Sequence, residues 1–178
     1  MKLYATIDEA AIAALTAALP LARRDHWEYG GYILKKGEEF TFTPPYTSRE
    51  SGAVSLQKPW EELTGELYPE GEVTKEMAGQ FRATTAKAGM ASSYHIHGCD
   101  WRFPDGEQMI ATGPKQNVNP WGFSAGDMIG DLLHGFKHGY LAVVCDGKVY
   151  RSNYRKTHPL LLLMKGGADG DYLTQILT

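Results

Sequence analysis

Strand-like and helix-like segments alternate along most of this chain, and that alternation admits few folds. Residues 2–6 read as a short strand. Residues 8–19 follow as an amphipathic helix, with Ala11, Ile12, Leu15 and Leu19 at helical spacing, acids in the first turn and a stop at Pro20. Residues 28–35 (E-Y-G-G-Y-I-L-K) form a strand, turned at 36–38 into a hairpin partner at 40–43 that Pro44 and Pro45 end. Residues 47–72 are polar, contain Pro59 and Pro69, and read as irregular surface structure. Residues 75–88 have helical composition and stop at Gly89. Residues 91–97 are small or apolar before the histidines and read as a buried strand. A long loop at 98–123, rich in Gly, Pro, Asn and Asp, then leads to a helix over 124–137. The clearest hairpin joins 140–145 to 148–153, because Asp146-Gly147 supplies the positive φ of a tight turn. The order predicts an α/β fold, an α+β sandwich with a mixed central sheet flanked by helices. Gly30 and Gly31 inside a strand imply that another backbone or a ligand approaches closely there.

A chain of 178 residues suits one domain, with a core over about 1–155, a tail at 156–178 and the inserted loop 98–123. With 43% apolar residues it buries a core without help from a structural metal, which leaves any metal free to be functional. The net charge of −3 and the lack of a Lys/Arg cluster argue against a nucleic-acid partner. Neither a signal-peptide pattern nor an apolar run long enough to span a bilayer is present, so no membrane role is expected. The two cysteines, Cys99 and Cys145, are far apart and form no metal-binding pair. A reducing cytoplasm is the simplest reading, with a single disulfide left open. Delivery as part of a secreted toxin or phage particle would leave no trace in the sequence.

Three short signals carry chemistry. In H-I-H, strand alternation puts His95 and His97 on one face and turns Ile96 to the other. Two imidazoles on one face bind a divalent ion, and zinc suits them; two unrelated histidines, one buried and one exposed, give the same pattern. In S-A-G-D, Ser124 and Asp127 open a helix, which a variant capping box explains without any active site. The same helix start also presents a fixed carboxylate and a fixed hydroxyl. Glu28 begins an otherwise apolar strand beside the two glycines, where a substrate chain would find room.

Glu28, then His95-x-His97, then Ser124-x-x-Asp127 follow the order of the JAMM (JAB/MPN-type) metalloprotease signature. The E-Y-G-G-Y-I and H-I-H-G…F-S-A-G-D segments resemble bacterial JAB-like domains associated with toxin and phage proteins, over roughly residues 10–154. The resemblance implies an MPN/JAB-like fold and a zinc ion ligated by His95, His97 and Asp127, with a fourth position for water. It implies Glu28 as general base and Ser124 as the donor that stabilises the oxyanion. The activity implied is hydrolysis of a peptide or isopeptide bond, with a protein or peptide as substrate.

The chain departs from that family in the length of its 98–123 loop, which a folded chain closes at modest entropic cost. Its aromatics include Trp101 and Trp121, read either as a wall over the site or as anchors for the insertion. Together with Tyr29 and Gly30 they are the expected substrate contacts. Two other functions compete: a catalytically silent MPN-like interaction module, and a cupin-like metal binder. The cupin pattern wants a Glu soon after the second His and another His on a later strand, and the sequence offers neither. His134 and His138, at i, i+4 near a helix end, read as structural or surface residues.

Overall fold

The computed structural model describes residues 1–50, 52–71, 74–98, 125–152 and 174–177. Helix α1 (Ile7–Asp25) leads into strands β1 (Gly30–Lys36) and β2 (Glu39–Phe42). Helices α2 (Gln57–Thr64) and α3 (Lys75–Lys87) precede strand β3 (Met90–His97) and helix α4 (Ala125–His134). Strands β4 (Gly139–Val143), β5 (Val149–Ser152) and β6 (Thr174–Ile176) follow. Among the described residues, the six strands form one sheet in the order β2-β1-β3-β4-β5-β6. Every neighbouring pair is antiparallel except β3 and β4, which run parallel. Parallel neighbours need a crossover, and α4 lies in it. The mixed α/β architecture expected from the sequence is therefore present.

Helix α1 covers one face of the sheet. Thr6 accepts a hydrogen bond from the Glu9 amide while the Glu9 carboxylate accepts one from the Thr6 amide, closing a capping box. Ala10, Ala14, Ala18 and Ala22, four apart, are fully buried, and their small side chains let the helix approach the strands closely. The helix does not stop at Pro20 but runs on to Asp25. Proline removes only the bond to the Thr16 carbonyl, and both residues are exposed, so water solvates what the ring cannot.

Two cores follow from strand alternation. Tyr29, Ile33, Tyr94, Ile96, Tyr140 and Ala142 pack against α1, whereas Tyr32, Leu34, Trp60, Phe81, Met90 and Phe136 fill the opposite face. The second core corrects the reading of 47–72 as irregular surface, because α2 lies within it and buries Trp60. The Trp60 indole stacks on Phe81 with 4.8 Å between ring centroids, and its Nε1 donates to Thr85 Oγ1 at 2.9 Å.

Three further expectations change. Residues 2–6 contribute only a single bridge, Tyr4 to Phe40, rather than a strand. The β4–β5 turn is wider than two residues: Ala142 pairs with Val149, and the Gly147 amide (φ +67°) bonds back to the Val143 carbonyl. Residues 174–176, assigned to a tail, form β6 and pair with β5 through Tyr150, Arg151 and Ser152.

What approaches the paired glycines is the protein itself. A Cβ on Gly31 would lie 2.5 Å from Thr43 Oγ1 and 2.7 Å from the Tyr94 hydroxyl, and one on Gly30 would lie 2.7 Å from the Tyr94 carbonyl oxygen. Gly31→Ala should cost ~1–3 kcal/mol through overpacking. Exposed Gly79, inside α3 with nothing within 4 Å of its would-be Cβ, gives the opposite sign, and Gly79→Ala should gain ~0.5–1 kcal/mol. Urea unfolding of both variants checks the pair, and a neutral Gly31→Ala would contradict the close approach.

Candidate metal centre

Strand β3 delivers Ser93, His95 and His97 to the face opposite α1, as alternation requires, with Tyr94 and Ile96 in the core beneath α1. Both imidazoles are buried, His95 at 7% and His97 at 8% exposure. Their Nε2 atoms face each other at 2.8 Å, with ring centroids 4.6 Å apart. Two neutral imidazoles meet in this way when one Nε2–H donates to the other, or when both lone pairs turn toward one cation. A tetrahedral zinc ion with Zn–N bonds of about 2.05 Å needs its nitrogens roughly 3.3 Å apart. The pair is therefore within about half an ångström of ligand geometry, and burial shields it from water, so the donors fit the ion.

Glu28 joins the same face. Gly30 pairs with His95 and Gly31 with Tyr94 across β1 and β3, and the Ile96 amide donates to the Tyr29 carbonyl. Continuing that register sets Glu28 directly opposite His97. Glu28 is buried, at 9% exposure, and its amide donates to the Glu50 carbonyl at 2.8 Å. Glu28 is thus a buried carboxyl group at the register position across from His97.

The third element is α4. Residues 135–138 alone join it to β4, which runs parallel with β3, so α4 runs back along both strands. Its first turn therefore lies toward the His97 end of β3. At its other end, buried Asp131 accepts a hydrogen bond from Ser93 Oγ at 2.5 Å. His134, three residues on, meets the Tyr32 hydroxyl through Nε2 at 3.2 Å and the Gly130 carbonyl through Nδ1 at 2.6 Å. Position 127 belongs to α4, whereas the side chain of Asp127, and Ser124, Trp101 and Trp121 altogether, lie outside the described residues. Among the described residues, no three His, Cys, Asp or Glu side chains group to hold a metal ion.

Two expected substrate contacts are packed against the protein itself. Tyr29 is buried on the α1 side, and its hydroxyl donates to Asp25 Oδ2 at 2.5 Å. Gly30 has Val54 and His95 against it, so its missing side chain makes room for the protein. Cys145 is disulfide-bonded, and the chain's other cysteine is Cys99. This is the single disulfide that the sequence left open. No described helix is long and apolar enough to cross a membrane.

Ser93 and Asp131 escaped the sequence reading, although signals existed. Ser93 shares the strand face of both histidines, and Asp131 is four residues after Asp127 on a helix. Comparison with known protein families, curated proteins and solved structures finds no match to this chain.

His134 is structural, as expected. It stacks on Phe136 and lies edge-on to Phe81, with Tyr68 and Tyr32 also around it. Burial pushes its pKa down from 6.5 to about 4. The unfolded chain therefore binds a proton that the fold rejects between those values, so stability is full above about pH 6.5 and falls toward pH 4. The loss should approach ~3 kcal/mol at the acid end. Asp131, Tyr32 and Tyr68 are the other titratable groups around this ring. Denaturant unfolding from pH 7 to 4.5 should show a slope that flattens in His134→Phe, and an unchanged slope would contradict this assignment.

Proposed function

We propose that this chain is a zinc-dependent hydrolase of the JAMM (JAB/MPN) kind that cleaves a peptide or isopeptide bond. The observation that carries the reading is the buried His95–His97 pair, its Nε2 atoms converging at 2.8 Å on the sheet face where Glu28 is opposite His97. Independent support comes from α4, whose first turn is directed to the same end of β3 and contains Asp127. His95, His97 and Asp127 are the residues to hold the metal. Zinc at such a site supplies Lewis acidity and a water acidic enough to act as nucleophile near neutral pH.

The chain's own residues do the rest. The Glu28 carboxylate takes a proton from the attacking water and returns it to the leaving amine. Ser124, in the role the resemblance gives it, donates a hydrogen bond to the oxygen on which negative charge develops. Two neutral imidazoles and one carboxylate leave a dication with net positive charge, which keeps it electrophilic. The second core, on the same face of the sheet, packs beside the site along the histidine strand, a fixed setting of the kind positional catalysis needs.

Zinc content and cleavage separate this reading from a silent binding module. Purified protein should contain close to one zinc per chain, and His95→Ala and Asp127→Ala should lose it. Glu28→Gln should keep the zinc and lose ~10²–10⁴-fold in turnover on a peptide or isopeptide panel. Zinc retained in Asp127→Ala, or cleavage indifferent to Glu28, would overturn the assignment.

A further inference from the structure

Helix α4 is fastened to the sheet at one rung. Tyr32 and Ser93 are direct partners across β1 and β3, and the helix residues His134 and Asp131 bond to them respectively. Asp131 and His134 are three apart, hence on one helical face. Both fastenings are buried or half-buried, where a directed hydrogen bond is hard to exchange for water. Position 127 is four residues, one turn, earlier on that same face, a displacement of about 6 Å along the helix axis. Two residues along β3, from Ser93 to His95, cover about 6.6 Å. The two advances match, so a helix fastened at the Tyr32–Ser93 rung carries position 127 to the next rung, Gly30–His95. That rung has only one side chain on this face, because its β1 member is glycine.

We infer that Ser93 and Asp131 are positioning residues for the metal centre, setting the height of α4 over the sheet so that position 127 arrives level with His95. The inference rests on the zinc site proposed above. Neither residue ligates the metal or touches substrate. Loss of the bond frees α4 to slide or tilt, and a ligand displaced by an ångström binds the ion poorly. The Ser93 hydroxyl is the donor and the Asp131 carboxylate oxygen the acceptor, so Thr at 93 and Asn at 131 can each preserve the contact.

Zinc affinity, measured by competition with a chelating dye, tests this together with the visible absorption of the cobalt(II)-substituted protein, which reports ligand geometry. Ser93→Ala and Asp131→Ala should weaken zinc on the order of 10-fold and alter the cobalt spectrum. Ser93→Thr and Asp131→Asn should remain near wild type in both. Thr85→Ala removes the buried bond to Trp60 on the same face of the sheet and serves as the control for mere destabilisation: it should lower Tm and leave zinc affinity unchanged. Wild-type affinity in both alanine variants overturns the inference and leaves the zinc site standing, as does equal weakening in Thr85→Ala. A wild-type protein that binds no zinc overturns the metal centre itself, and the positioning role with it.

Discussion

The register between β1 and β3 governs most of what this structure can do. Side chains alternate along both strands, so a shift of one residue would exchange the two faces throughout. In the register observed, Tyr32 opposes Ser93 and Gly30 opposes His95. That single alignment sends Tyr29, Tyr94 and Ile96 under α1 and both histidines to the other side. The apolar demand of the α1 face fixes the register, because slipping it would bury the histidines against alanines and expose Tyr94 and Ile96. The irregularity between Ile33 and Leu34 confines the alignment to the half of β1 nearest the histidines.

The second face divides into a dry end and a polar end. Trp60, Phe81, Met90 and Phe136 fill the dry end, where the tryptophan N–H finds Thr85 as its partner. Moving along β3, Ser93 and Asp131 introduce the first paired polar groups, and His95, His97 and Glu28 follow. Polar groups this deep are tolerated only when they have partners. The gradient therefore concentrates polar chemistry at one end of β3 while the aromatic end supplies the packing that holds the strand and α4 still.

Period-two alternation made the histidine pair legible in the sequence, since it depends on nothing beyond the strand itself. Strands β1 to β5 and α3 were legible for the same local reasons, with ends adjusted by a residue or two, whereas residues 2–6 were over-read as a strand and β6 was missed. Helix α2 was not: Leu56 at its start gives no side-chain cap, and Pro59 disguises a first turn in which proline is in fact tolerated. Pro20 misled in the opposite sense, because a proline whose lost acceptor is exposed need not end a helix. Ser93 and Asp131 are 38 residues apart, and no local pattern encodes a bond at that separation. Glu28 stood out as an acid at the head of an apolar strand, but its place opposite His97 required the pairing.

The two outermost strands show how this sheet is finished. Tyr4 bridges Phe40 at the β2 edge, while residues 174–176 close the β5 edge from far along the chain. Strand β5 ends at Ser152 and its outer partner begins at Thr174, so the two are joined across a span of chain rather than by a tight turn. Without β6, the outer hydrogen-bonding groups of β5 would be a β-edge, a template on which another chain can add. Tyr150–Ile176 and Ser152–Thr174 join positions 26 and 22 residues apart, a non-local closure that is slow by topology rather than by stability.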